Sequence, residues 1–416
     1  MTDTHFWHPF ANMAQVRRDA FTITRGDGCS VWDSGGRRYL DATASLWYMN
    51  VGHGRHEIAD AMAAQARRLG AYSTFGDYTN EPAEALAERL SALAPTSDAK
   101  VFLGSGGGDG IETAVKLARG YWVALGSEER THVISRDRSY HGTHGFGTSL
   151  AGIASNRSGF GPLDADHSTV AYDSVEALAK EVERLGAGRV AAFFCEPVLG
   201  AGGVHLPPAG YMQGVARLCA DTGVLLVIDS VICGFGRLGD WLGVDRWGLR
   251  PDMITFAKGV TSGYQPLGGV IVSSRVAAPY WEGEGRVFRH GATYAGHPVC
   301  CAAALANLDL LERDDLYRRG AELEGSLLGA LRTVEGHPAV AEVRGGVGLL
   351  GAVDLSAELL AERPTAVVEL QLAARRAGVL VRPLGSGIAV SPPLVVTDEE
   401  IATIGAAVAE GLEIFV

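Results

Sequence analysis

Met253-Ile254-Thr255-Phe256-Ala257-Lys258-Gly259 is an apolar run that stops at a lysine. Upstream, Val224-Leu225-Leu226-Val227-Ile228 is a second apolar run, and it stops at Asp229. Each reads as a strand of a parallel sheet buried on both faces, because neither alternates with polar residues. Each also leaves one charged residue at its carboxyl end, where open α/β sheets form their ligand crevice. A buried lysine there is costly unless it is paired, neutral or used covalently. The two strand ends together point to a ligand held at two places.

Working outward, strands and helices alternate from about residue 100. Expected strands are Val101–Leu103, His132–Ser135, Val190–Cys195, Val224–Ile228, Met253–Ala257 and Gly269–Val272, with helices such as Ile111–Leu125 and Tyr211–Asp221 between some of them. That pattern predicts a mostly parallel sheet covered on both faces. His56–Leu69 and Pro82–Leu93 read as amphipathic helices ahead of it. Past residue 320 the pattern becomes α+β, with strands near Val347–Leu355, Val379–Arg382 and Ile388–Ser391. The chain therefore divides into an N-terminal segment (1–55), a large domain (56–320) and a smaller C-terminal domain (321–416), the first packing with the last.

The bulk properties exclude several classes. The 416 residues are 47% hydrophobic and 20% charged, ordinary values for a soluble globular protein. The formal charge of −12 argues against nucleic acid or an anionic membrane as partner. None of the six cysteines forms a C-x-x-C pair, and no metal site is expected. The opening MTDTHFWHPF lacks a cationic stretch followed by an apolar one, so no signal peptide is read there and the cytoplasm is the expected location.

Further motifs converge on the two strand ends. Gly104-Ser105-Gly106-Gly107-Gly108-Asp109-Gly110 lies between a strand and a helix. Consecutive glycines let backbone N–H groups close on an anion at the helix start. A plain tight turn is the structural alternative. The dinucleotide fingerprint fails on spacing, and the P-loop lysine is missing. Ser139-Tyr140-His141-Gly142 places an aromatic at a strand end, where it could stack on a flat ring or simply pack. Glu196 precedes Pro197 at another strand end and could face the crevice, cap a helix or pair with an arginine. Arg382 could bind a carboxylate through two parallel hydrogen bonds, or form a surface ion pair. The group that uses a Schiff-base lysine together with a carboxylate on a pyridinium nitrogen is pyridoxal 5'-phosphate (PLP). Lys258 would supply the first and Asp229 the second; a lone strand-end aspartate could otherwise be a helix N-cap.

In this order the motifs resemble the class III aminotransferases of the fold-type I PLP enzymes, most closely the ω-transaminases. The likeness runs from His8-Pro9-Phe10 to Pro392-Pro393-Leu394 and includes Leu46-Trp47-Tyr48-Met49-Asn50-Val51-Gly52-His53-Gly54, Ala257-Lys258-Gly259, Pro266-Leu267-Gly268-Gly269 and Gly296-His297-Pro298. The resemblance implies a seven-stranded, mostly parallel sheet and a homodimer with active sites at the interface. It implies that Lys258 carries the cofactor and shuttles the proton, and that Asp229 binds the pyridine nitrogen. Tyr140 and Val231 would sandwich the ring, with Glu196 nearby. Gly106, Gly107 and Gly108 would hold the phosphate, with Thr293 from the partner subunit. Trp47 and Tyr140 would line the substrate pocket, and Arg382 would bind an acceptor carboxylate and swing aside for an apolar amine. The substrates implied are a primary amine or ω-amino acid and a keto acid, pyruvate foremost.

The chain departs from the family's pattern in three places. Its glycine loop reads as one residue longer than S-G-S-E-A, with Asp109 in place of the Glu. Asp229-Ser230-Val231 stands where D-E-V is usual. Ala292 stands where an aromatic is common. Other class III chemistry (a diaminopelargonate-type transaminase, a racemase or an aminomutase) keeps the same residues. A nicotinamide dehydrogenase leaves Lys258, Asp229 and Tyr140 unexplained, and a non-catalytic binder leaves the Lys258 and Asp229 pair without a use.

Overall fold

A computed structural model of the chain describes residues 4–416, so the first three residues of the opening segment lie outside it. Three short strands come first: β1 (Ile23–Asp27), β2 (Ser30–Asp33) and β3 (Arg38–Asp41), joined as an antiparallel meander. The main sheet follows, with β4 (Lys100–Gly104), β5 (His132–Arg136), β6 (His167–Val170), β7 (Val190–Cys195), β8 (Leu225–Asp229), β9 (Met253–Phe256) and β10 (Gly268–Val272). Its order is β4-β10-β9-β8-β7-β5-β6. Only β10 runs antiparallel to its neighbours; the pairs from β9 through to β6 are all parallel. Every residue of β5, β7, β8, β9 and β10 is buried, which is why the runs around Asp229 and Lys258 are continuously apolar.

The C-terminal region adds β11 (Val340–Gly345), β12 (Gly351–Leu355), β13 (Val379–Leu380), β14 (Arg382–Leu384) and β15 (Gly387–Val390). Four of these form an antiparallel sheet in the order β11-β12-β15-β14, while β13 pairs in parallel with β3 of the N-terminal segment. The single strand expected at Val379–Arg382 is thus two, and the chain changes sheets at Val381. β6 and β11 were not expected from the sequence. The first is a short polar edge strand, His167-Ser168-Thr169-Val170, and the second carries Glu342 and Arg344, so neither shows an apolar run.

The helix expected from Ile111 begins at Gly107 and ends at Ala124. Glycine is a poor helix former, so the pattern hid the first turn. Packing explains it. A Cβ on Gly110 would stand 2.8 Å from the Gly269 carbonyl oxygen. The missing side chain lets the helix lie against β10 with its N-terminus at the sheet's carboxyl edge.

Candidate active site

Lys258 follows β9 directly and opens a single 3-10 turn, Lys258–Val260. Its φ of +48° lies in the left-handed region that a side-chain-bearing residue enters at a cost. The surrounding structure therefore fixes this turn and the direction of the lysine. It faces a cleft of 410 Å³ whose wall contains Trp47, Gly107, Gly108, Tyr140, Glu196, Asp229, Val231, Lys258 and Arg382. Nine of the eleven residues singled out in the sequence meet here, drawn from positions 47 to 382. Gly106 is the N-cap of the helix Gly107–Ala124, next to the wall and not in it. Thr293 is exposed and lies outside the wall of this one chain. A larger hollow of 1330 Å³ exists, but it is a surface groove along β4 lined by residues such as Phe75, Tyr78 and Phe288, and it contains neither Lys258 nor Asp229.

Asp229 is 4% exposed and accepts three hydrogen bonds: from His141 Nδ1 at 2.7 Å, from Thr255 Oγ1 at 3.0 Å and from the Val231 backbone at 3.1 Å. The donors keep its carboxylate fixed and aimed. His141 and Thr255 had no role in the sequence reading. Nothing local marks His141 as a partner of a residue 88 positions away. Thr255 could have been found, since it is the one polar residue within the run Met253–Ala257. Glu196 does face the site, and its side chain also braces the wall: Oε1 accepts the Tyr140 N–H at 3.1 Å and Oε2 the Gly200 N–H at 2.9 Å. Burial pushes the Glu196 carboxyl above its ordinary range.

Burial likewise pushes the Lys258 ammonium down, opposed by the charges of Asp229 and Glu196. A lysine shifted this way reaches its neutral, nucleophilic form more readily. The Arg382 guanidinium also loses hydration and is pushed down, with its Nε buried and without a hydrogen-bond partner among the described residues. Its Cζ lies 5.1 Å from the centre of the Trp47 ring, and Lys258 Nζ lies 6.0 Å from the same ring. Trp47 is itself held at φ +59°. Ser230, fully buried, turns out of the cleft and donates to the Leu242 carbonyl at 2.5 Å, so it ties down the loop after β8.

This donor set fits PLP. The buried Asp229 can face a pyridinium nitrogen, and Tyr140 and Val231 both stand in the wall where a flat ring would lie. At the helix start, Gly106 gives no side-chain cap, so the first N–H groups need an acceptor from elsewhere. A Cβ on Gly107 would meet the Val231 methyls at 3.0 and 3.1 Å, so glycine keeps that turn open beside Val231.

Residues 13–411 match the family model described as Aminotransferase class-III. The chain is 38% identical over 409 residues to the diaminobutyrate–2-oxoglutarate transaminase of Halomonas elongata, covering 91% of this chain and 87% of that protein. It is 34% identical to the putrescine–pyruvate aminotransferase of Pseudomonas aeruginosa, over 95% of this chain and 91% of that one. A solved amine transaminase from an uncultivated Pseudomonas species, with PLP bound, superimposes with a TM-score of 0.94 at 38% identity, covering 99% of both chains. The chain belongs to the class III aminotransferases, enzymes that work with PLP.

Proposed function

We propose that this aminotransferase moves an amino group from a primary amine or ω-amino acid to pyruvate in two half-reactions at one cleft. The observation that carries the choice of acceptor is the charge in the wall. Among the described residues, Arg382 is the one arginine or lysine of the wall besides Lys258, and the same wall carries Phe10, Leu46, Trp47, Ile153 and Leu384. One guanidinium matches one carboxylate; a keto acid with two would leave the second among apolar side chains, which is costly.

PLP, when bound, supplies an electron sink and a carrier for the amino group. Lys258 Nζ would take the proton from the amine-bearing carbon and hand the same proton to the aldehyde-derived carbon of the cofactor. Asp229, steadied by His141 and Thr255, faces the ring nitrogen and favours its protonated form. Tyr140 and Val231 would bracket the ring, Gly107 and Gly108 would receive the phosphate, and Gly106 ends the turn that presents them. Glu196 holds Tyr140 in place. Arg382 binds the pyruvate carboxylate and turns aside when an apolar amine enters beside Trp47.

The acting unit in this reading is a homodimer. The groove along β4 is rimmed by Phe75, Tyr78, Trp281 and Val287, each more than half exposed, apolar side chains of the kind a subunit interface covers. Thr293 is exposed between Gly291 and Ala295 of that lining, and in this reading it serves the partner's cleft. The pairing of β13 with β3 supports grouping residues 1–55 with 321–416 as the smaller unit.

The test is to charge the protein with an amine donor, remove the donor, and add pyruvate. One equivalent of alanine per site supports the reading; a racemase or aminomutase gives no net alanine. Arg382→Ala then separates the acceptor. KM for pyruvate rises about tenfold or more, as expected for loss of a charge-assisted pair, while KM for a carboxylate-free amine stays within about twofold.

A further inference from the structure

Just outside the cleft wall, against Gly108, stands a residue that neither the motifs nor the family resemblance points to. Gly108 has no side chain, and the space one would take is filled by His144. A Cβ on Gly108 would lie 2.9 Å from His144 Cε1, 3.0 Å from Nδ1 and 3.2 Å from Nε2. A Cβ on a helix tilts toward the helix N-terminus, so a ring occupying the Gly108 Cβ position stands beside the first turn of Gly107–Ala124, where an anion is drawn by the free N–H groups. Two contacts lock the ring's backbone to that same helix. Glu112 Oε1 accepts the N–H groups of Phe146 and Gly147 at 2.6 and 3.1 Å, and the chain at Gly142 passes so close that a Cβ there would stand 3.3 Å from Gly108 Cα. The near carboxylate, Asp109 Oδ1, is 3.7 Å from His144 Nδ1, longer than a hydrogen bond. Asp109 spends its other oxygen on the Ser105 N–H at 2.8 Å.

We propose that His144 is a cofactor-binding residue of this chain: its ring donates a hydrogen bond to the PLP phosphate, supplying the side-chain donor that Gly107 and Gly108 lack. The proposal rests on the phosphate lying at this helix start. It also gives Gly108 a reason beyond the turn, because any side chain there would collide with the imidazole. The His144 side chain is 52% exposed, so removing it leaves no buried cavity.

The experiment titrates the apo protein with PLP and, separately, with pyridoxal, which lacks the phosphate, in the unaltered chain and in His144→Ala. Both ligands reach Lys258, so the ratio of their dissociation constants isolates the phosphate. The expected result is a PLP dissociation constant about tenfold higher in the variant with the pyridoxal value unchanged, the loss of one charge-assisted hydrogen bond. His144→Gln, which keeps a donor, should recover part of that loss. Equal weakening for both ligands would show a merely structural role and overturn the proposal, as would no change for either. If the unaltered chain binds PLP no better than pyridoxal, the phosphate is not seated at this helix start, and the underlying assignment fails with it.

Discussion

Asp229 and Lys258 work through what surrounds them. Each could be picked from the chain because a charge at the end of an apolar run is conspicuous. Their partners could not: His141 comes from the loop after β5 and Thr255 from β9, and only the fold brings both to the Asp229 carboxylate. His141→Ala removes one of its three donors and leaves a buried carboxylate less supported. Activity should fall between about ten- and a hundredfold, the range of one buried charged hydrogen bond, with weaker PLP binding in the same variant. Lys258→Ala removes the amine to which the proposed mechanism gives the proton transfer. A loss of at least about a thousandfold in kcat is expected, with the fold intact by circular dichroism. A residual rate within tenfold of the unaltered enzyme would remove Lys258 from the mechanism.

At the scale of the element, the helix Gly107–Ala124 sets the proposed seat for the cofactor's charged end. Gly110→Ala sets two effects against each other. Alanine in a helix interior is worth up to about 1 kcal/mol over glycine. Against this, the new Cβ would stand 2.8 Å from the Gly269 carbonyl, a backbone atom of β10 that cannot step aside. The clash outweighs the propensity gain, since overpacking typically costs about 1–3 kcal/mol. The variant should unfold at lower denaturant concentration and bind PLP more weakly, because the helix start is pushed off its seat. Unchanged stability would mean the helix has slack against the sheet. The glycines were legible as an anion-binding turn. That they form the first turn of the helix was not, because a close approach between two backbones leaves no apolar periodicity to read.

For the whole molecule, Arg237 joins three distant parts of the chain. It is fully buried and donates to Asn50 Oδ1, the Leu349 carbonyl and the Pro392 carbonyl, and burial pushes its pKa down to about 10. Arg237→Met would strand those acceptors and should cost about 3 kcal/mol or more, read as a lowered thermal midpoint. Acid stability follows from two histidines. Burial holds His167 and His205 at about 4 against an ordinary 6.5. Both are depressed, so the unfolded chain takes up protons first as pH falls. Their contribution is complete above 6.5 and is lost progressively on the way down to about 4; chemical denaturation at pH 7.5, 6 and 5 should show the decline. The proposed homodimer gives a further expectation: Phe75→Glu, in the exposed rim of the groove along β4, should shift the species seen in light scattering toward the monomer and lower activity with it. Sequence alone determined the α/β architecture, the two strand ends and nine residues of the cleft wall, because continuous burial and strand-end charges are written in local order. Tertiary structure alone decided the sheet change at Val381, the edge strands β6 and β11, the histidine behind Asp229 and the imidazole over Gly108. Each of these depends on contacts between residues far apart in the chain, and such contacts leave no periodic or compositional trace.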